Sequence, residues 1–119
     1  MRKVVVLGAS ANPLRYSYKA TVSMQQKGFQ VIPIGLRSGN IGSLQILTGY
    51  PEVDKVDTLL LYVNPENQKK YYDYIFSIRP GTIVFNPGTE NFEFARTARE
   101  NGISVKFDCA INMLEDGLL

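Results

Sequence analysis

The chain has 119 residues, 45% of them hydrophobic, with 13 basic and 11 acidic groups and a formal net charge of +2. That length suits one core, so a single domain over residues 1–119 is expected. The near-neutral balance and scattered Lys and Arg residues exclude the clustered positive face of a nucleic-acid binder, and no apolar run nears the roughly 20 residues of a membrane span.

The first predicted strand, 3–7, runs straight into Gly8-Ala9-Ser10-Ala11-Asn12-Pro13. Its apolar run is too short for a signal segment, so a soluble, cytoplasmic protein is expected. A helix follows, capped by Ser17 and running to Lys27, with Gly28 as the left-handed stop. The second strand is 30–34. Residues 35–56 then contain four glycines and no amphipathic helix. A connection of that length is often functional; an ordered crossover with a short strand is the alternative.

The third strand is 57–62. Asn64-Pro65-Glu66 reads as a cap, a fixed-φ first residue and an acid in the first turn of a second helix. That helix continues to about Arg79, where Pro80-Gly81 ends it. Tyr71, Tyr74, Ile75 and Ile78 share one of its faces and are expected in the core. The fourth strand is 82–85. A third helix starts near Thr89 and ends at Asn101-Gly102, with Glu90, Glu93, Arg96 and Glu100 on its solvated side. The fifth strand is 104–107.

Short, almost uniformly apolar strands alternating with helices predict an α/β fold. The form expected is a Rossmann-like, doubly wound, parallel five-stranded sheet in three αβα layers, with strand order 3-2-1-4-5. That order reverses between strands one and four, and would open a crevice at the loops beginning at Gly8 and Asn86.

The loop after strand one aligns Gly8, Ser10 and Pro13 with the three glycines of a dinucleotide fingerprint. Gly8 keeps the tight turn. Ser10 adds a hydroxyl where backbone normally meets phosphate, and Pro13 stiffens the entry to the helix. The free amides and dipole at a helix start near Ser17 favour an anion. Alternatively, the loop is a plain strand-to-helix turn that binds nothing. After strand two, where an NAD site places an acid, the chain reads Gly35-Leu36-Arg37-Ser38. An arginine there favours a phosphorylated ribose through charge-assisted hydrogen bonds; as a plain loop residue it would simply be solvated. NADP and coenzyme A both meet this description, and spacing alone does not separate them.

Taken together, Val6 to Pro13, Arg15, Ser17 to Ala20, Gly28 to Pro33, Tyr62 to Glu66 and Phe85 to Asn91 resemble the small stand-alone CoA-binding-domain proteins. These are similar to the CoA-binding domain of the succinyl-CoA synthetase alpha subunit. The likeness runs on through the last strand to Cys109 and so covers almost the whole chain. It implies a Rossmann-like sheet holding coenzyme A. Gly8, Ala9, Ser10, Asn12 and Pro13, with Ser17 at the helix start, would line the diphosphate and adenosine side. Arg37 would meet the ribose phosphate, where many relatives have Asn-Pro-Lys. Val63, Asn64 and Pro65 would flank the adenine or pantetheine path, and Asn86, Pro87 and Gly88 would face the crevice from strand four.

Catalysis is not expected. Histidine is absent and Cys109 is the lone cysteine, which removes the commonest general base, a disulfide framework and a zinc site. A nucleophilic Cys109 would lack a His or Asn partner arrangement; a mixed disulfide with a thiol and a plain buried or half-buried free cysteine are the other readings, and the adjacent Asp108 would raise a thiol's pKa. The function expected is therefore non-catalytic binding of coenzyme A or an acyl-CoA. The alternatives are an NADP-binding oxidoreductase-like domain, or an interaction protein with a vestigial nucleotide pocket. A homodimer or an unidentified protein partner stays open.

Overall fold

In the computed structural model, which describes residues 2–119, the five expected strands form one parallel sheet. They are β1 (Lys3–Leu7), β2 (Gln30–Ile34), β5 (Thr58–Leu61), β6 (Thr82–Phe85) and β7 (Ser104–Phe107). Two shorter strands, β3 (Gly39–Ile41) and β4 (Leu44–Ile46), form a separate antiparallel hairpin. The α/β, Rossmann-like, doubly wound class is as expected.

The strand order is not. The sheet reads β2-β1-β5-β6-β7, so the third strand of the sheet lies beside the first rather than outside the second. The cause is local. Leu47 bridges to Ile34 in parallel: its amide donates to the Pro33 carbonyl and its carbonyl accepts from the Gly35 amide, both at 2.9 Å. The outer edge of β2 is thus already occupied. Thr58–Leu61 is buried at every residue, which suits a central position, whereas β7 is mostly exposed and forms an edge. The reversal point moves accordingly to the gap between β1 and β5.

Strand alternation sorts the core into two halves. Val5, Leu7, Leu59, Leu61, Ile83 and Phe85 face α3 (Tyr72–Ile78) and α4 (Phe92–Glu100). Val4, Val6, Leu60 and Val84 face α1 (Tyr16–Gln26) and α5 (Ala110–Glu115). Full burial of such side chains contributes about 1.5–3 kcal/mol each. Tyr71, Tyr74, Ile75 and Ile78 are buried in the first half, and Glu90, Glu93, Arg96 and Glu100 are exposed, as their spacing predicts.

Helix boundaries follow the caps. α1 begins one residue before Ser17, with Arg15 as an N-cap that makes no side-chain bond; Ser17 is buried in the first turn. α2 (Pro65–Gln68) opens on Asn64, whose Oδ1 accepts from the Asn67 amide at 2.9 Å. A 3-10 turn, Lys69–Tyr71, separates α2 from α3, and Arg79 in the left-handed region (φ 47°) ends the latter. The third predicted helix starts later than Thr89. The Thr89 hydroxyl donates to the Asn86 carbonyl at 2.8 Å, and Asn91 caps α4 instead, accepting from the Phe94 amide at 3.0 Å.

Two buried amides hold the loops above the sheet. Gln68 Nε2 donates to the carbonyls of Val63 (2.8 Å) and Thr89 (2.7 Å), while its Oε1 accepts from Asn91 Nδ2 at 3.0 Å. Asn86 Nδ2 donates to the Leu61 carbonyl (3.1 Å), and Asn86 Oδ1 accepts from the Ala110 amide (2.8 Å). Replacing Gln68 by Met keeps the volume but strands these partners in the interior. The expected loss is about 2–4 kcal/mol, read as a lower denaturant midpoint with an unchanged slope; a loss below about 0.5 kcal/mol would show the bonds to be dispensable.

Candidate functional site

Three segments meet at the carboxyl ends of β1, β2 and β5: the Gly8 loop leading into α1, Leu36–Ser38, and Tyr62 through the 3-10 turn to Tyr71. They enclose an open cavity of about 780 Å³, within the size range of small-molecule sites. Their approach depends on glycine. Gly8 has φ 98°, and a Cβ there would stand 2.7 Å from the Tyr62 carbonyl oxygen. A Cβ on Gly35 would collide with the Ala9 carbonyl. The Ile34 carbonyl accepts from both the Gly8 and Ala9 amides at 2.9 Å, locking the end of β1 to the end of β2.

That bond pair changes which amides remain for a ligand. Gly8 and Ala9 are committed. Within the loop, the Asn12 amide donates to Ser10 Oγ at 3.1 Å and the Leu14 amide to Asn12 Oδ1 at 3.0 Å. Among the described residues, the amides of Ser10, Ala11, Tyr16, Ser17 and Tyr18 find no acceptor. They sit in the loop and the first turn of an uncapped helix, where an anion completes the hydrogen bonding and meets the positive end of the helix dipole.

Of the residues picked out by the sequence, Gly8, Ala9, Ser10, Asn12, Ser17, Arg37, Val63 and Asn64 line this cavity. Pro13 and Pro65 adjoin it in sequence but are not part of the lining. Asn86, Pro87 and Gly88 stand apart from it. With β5 interposed between β1 and β6, the loop after β6 lies one strand further on. The Asn86 side chain is spent on Leu61 and Ala110, and the Gly88 amide donates to Glu90 Oε1 at 2.9 Å. The Asn86 bonds tie this loop to β5 and to the start of α5.

The cavity also recruits Tyr62, Asn67, Lys70 and Tyr71, which sequence reasoning did not assign to a site. Asn64, Asn67, Lys70 and Tyr71 stand at i, i+3, i+6 and i+7, the spacing of one helical face. That pattern was present but masked by the apolar stripe that includes Tyr71. Arg15, Arg37 and Lys70 are the charged residues of the lining, and no acid joins them. Among the described residues the one ion pair is Lys3–Asp54, remote in sequence from all three. No group of three or more potential metal ligands occurs among the described residues, and no helix is long and apolar enough to cross a membrane.

The sequence pattern of a family described as CoA binding domain matches residues 2–115. An uncharacterized protein of known crystal structure shares 39% identity, covering 100% of this chain and 98% of its own, with a TM-score of 0.97. A Thermus thermophilus protein shares the fold at 19% identity and a TM-score of 0.86, over 99% of this chain and 90% of that one. An acetyl-coenzyme A synthetase 1 of Ca. Korarchaeum cryptofilum, solved with phosphate and ADP, matches 87% of this chain but only 25% of its own, at 21% identity and a TM-score of 0.71. Curated proteins provide no match.

Three tyrosines are shifted: Tyr62 and Tyr71 in the cavity wall and Tyr74 outside it. Burial, and then the neighbouring Cys109, push the Tyr62 phenol far up. Burial and Tyr50 raise Tyr71, and burial pushes Tyr74 up to about 12. Folded-state values above the unfolded value near 10 mean that the fold holds these protons more tightly. The resulting stabilisation is complete below pH 10 and is lost as pH climbs through the folded-state values. An absorbance titration should therefore show Tyr62, Tyr71 and Tyr74 ionising above the ordinary tyrosine value, with unfolding free energy declining from about pH 10 upward. Flat stability through the tyrosine range would contradict this.

Proposed function

The chain belongs to the CoA binding domain family, and on that premise we propose that it binds coenzyme A or an acyl-CoA, without catalysis of its own, in the cavity between the ends of β1 and β5. The observation that carries the reading is the cavity's electrostatic character: three cations and a set of free amides, with no acid in the lining. A phosphomonoester carries about −1.5 to −2 charges near neutrality, and coenzyme A adds a diphosphate. Arg15 and the amides of Ser10, Ala11 and the first turn of α1 take the diphosphate. Arg37 takes the phosphate on the ribose. Tyr62, Val63 and Asn64 border the path of the rest of the ligand.

The non-catalytic part of the proposal rests on side-chain chemistry. Tyr62 stays protonated at neutral pH, so its hydroxyl is available as a donor to a ligand rather than as a base. Cys109 is half-buried at the start of α5, where its own amide donates to Asp108 Oδ1 at 2.7 Å.

Isothermal titration should show saturable binding of coenzyme A, weaker binding of 3′-dephospho-CoA, and no nicotinamide redox change with NADP. Equal affinity for the two CoA forms would remove the role given to Arg37. No binding of either at millimolar concentration would defeat the proposal. Gly8→Val should abolish CoA binding, because the new side chain meets the Tyr62 carbonyl in a backbone conformation that valine resists. Unchanged affinity in that variant would place the ligand elsewhere.

A further inference from the structure

Lys70 lies in the 3-10 turn between α2 and α3 and lines the same cavity as Arg37, from a different wall. Arg37 follows β2, whereas Lys70 comes from the connection that follows β5. Two contacts place this residue, one to its side chain and one to its backbone. Its Nζ stands 5.7 Å from the centroid of the Tyr71 ring, and Tyr71 is itself part of the cavity wall. Its carbonyl accepts from the Tyr50 hydroxyl at 3.2 Å, and the Tyr50 ring packs edge-on against Tyr71 at 5.8 Å. Breaks from α-helix to 3-10 geometry within a helical run often mark function. Here the break sets the lysine above a ring that attracts its charge.

Arg37, Lys70 and Arg15 line one cavity, and that lining contains no carboxylate to balance their charge. An anionic ligand group supplies that balance. Resting on the coenzyme reading above, we propose that Lys70 is the second arm of a clamp whose first arm is Arg37, and that the clamp closes on a phosphomonoester carried by the ribose. The arms differ in chemistry. The arginine offers a planar fork that fixes orientation, and the lysine supplies a mobile point charge. The site thereby selects ligands in which the ribose bears a phosphate over those in which it does not.

The test is the preference for coenzyme A over 3′-dephospho-CoA, measured by titration calorimetry on the wild-type chain and on Lys70→Gln, Arg37→Gln, the double variant and Lys69→Gln. Lys69 neighbours Lys70 but does not line the cavity. Lys70→Gln should lower the preference about tenfold, Arg37→Gln by a similar factor, and the double variant should bring it close to one. Lys69→Gln should leave it in place. The ligand-free melting temperature of each variant identifies any that fail to fold; the exposed position of Lys70 argues against that outcome. If the wild type prefers coenzyme A and Lys70→Gln keeps the full preference, or if Lys69→Gln lowers it equally, the clamp is wrong while the coenzyme reading stands. If the wild type binds neither ligand, both fall.

Discussion

Everything at the site depends on backbone meeting backbone where the first two strands end. Gly8 lies against the Tyr62 carbonyl, Gly35 lies against the Ala9 carbonyl, and one oxygen, that of Ile34, takes the amides of both Gly8 and Ala9. Side chains at these two positions would wedge the loops apart. With glycine, the ends of β1, β2 and β5 close to contact distance. The cavity opens just above them, where chain reversal leaves the sheet uncovered.

A second layer keeps those loops from moving. Gln68 and Asn86 are buried amides whose hydrogen bonds run between segments distant in sequence, tying the Tyr62–Val63 corner to the turn after β6 and to the start of α5. Satisfied polar groups in the interior restrict the alternatives open to a loop more sharply than apolar packing does, because each misplacement strands a donor or acceptor. The walls are therefore tied together at their base by buried hydrogen bonds.

Much of this architecture was legible in the residues. The five strands, the Asn64 cap and the core stripe of Tyr71, Tyr74, Ile75 and Ile78 all follow from periodicity and capping chemistry, which act locally. The strand order did not follow, because it depends on where residues 35–56 run. That segment forms a hairpin and then lays Leu47 along the outer edge of β2, a long-range event with no signature in its glycines. The same strand order bears on Asn86, Pro87 and Gly88: with β5 beside β1, the loop after β6 falls outside the cavity lining. Residues such as Gly8, Ser10 and Arg37 were identifiable because their environment is set by the strand immediately before them. Lys70 was not, since its place in the cavity depends on a helix docking across the sheet.

The position of β5 also bears on synthesis. Strands β1 and β2 pair early in the chain, yet one flank of β1 has no neighbour until residues 58–61 arrive between it and the segment that becomes β6. A nascent polypeptide stalled before that point would carry an unpaired hydrophobic strand edge and would lack the Tyr62 side of the crevice altogether. Because the crevice takes one wall from the segment after β5, it is complete only once that strand is paired with β1.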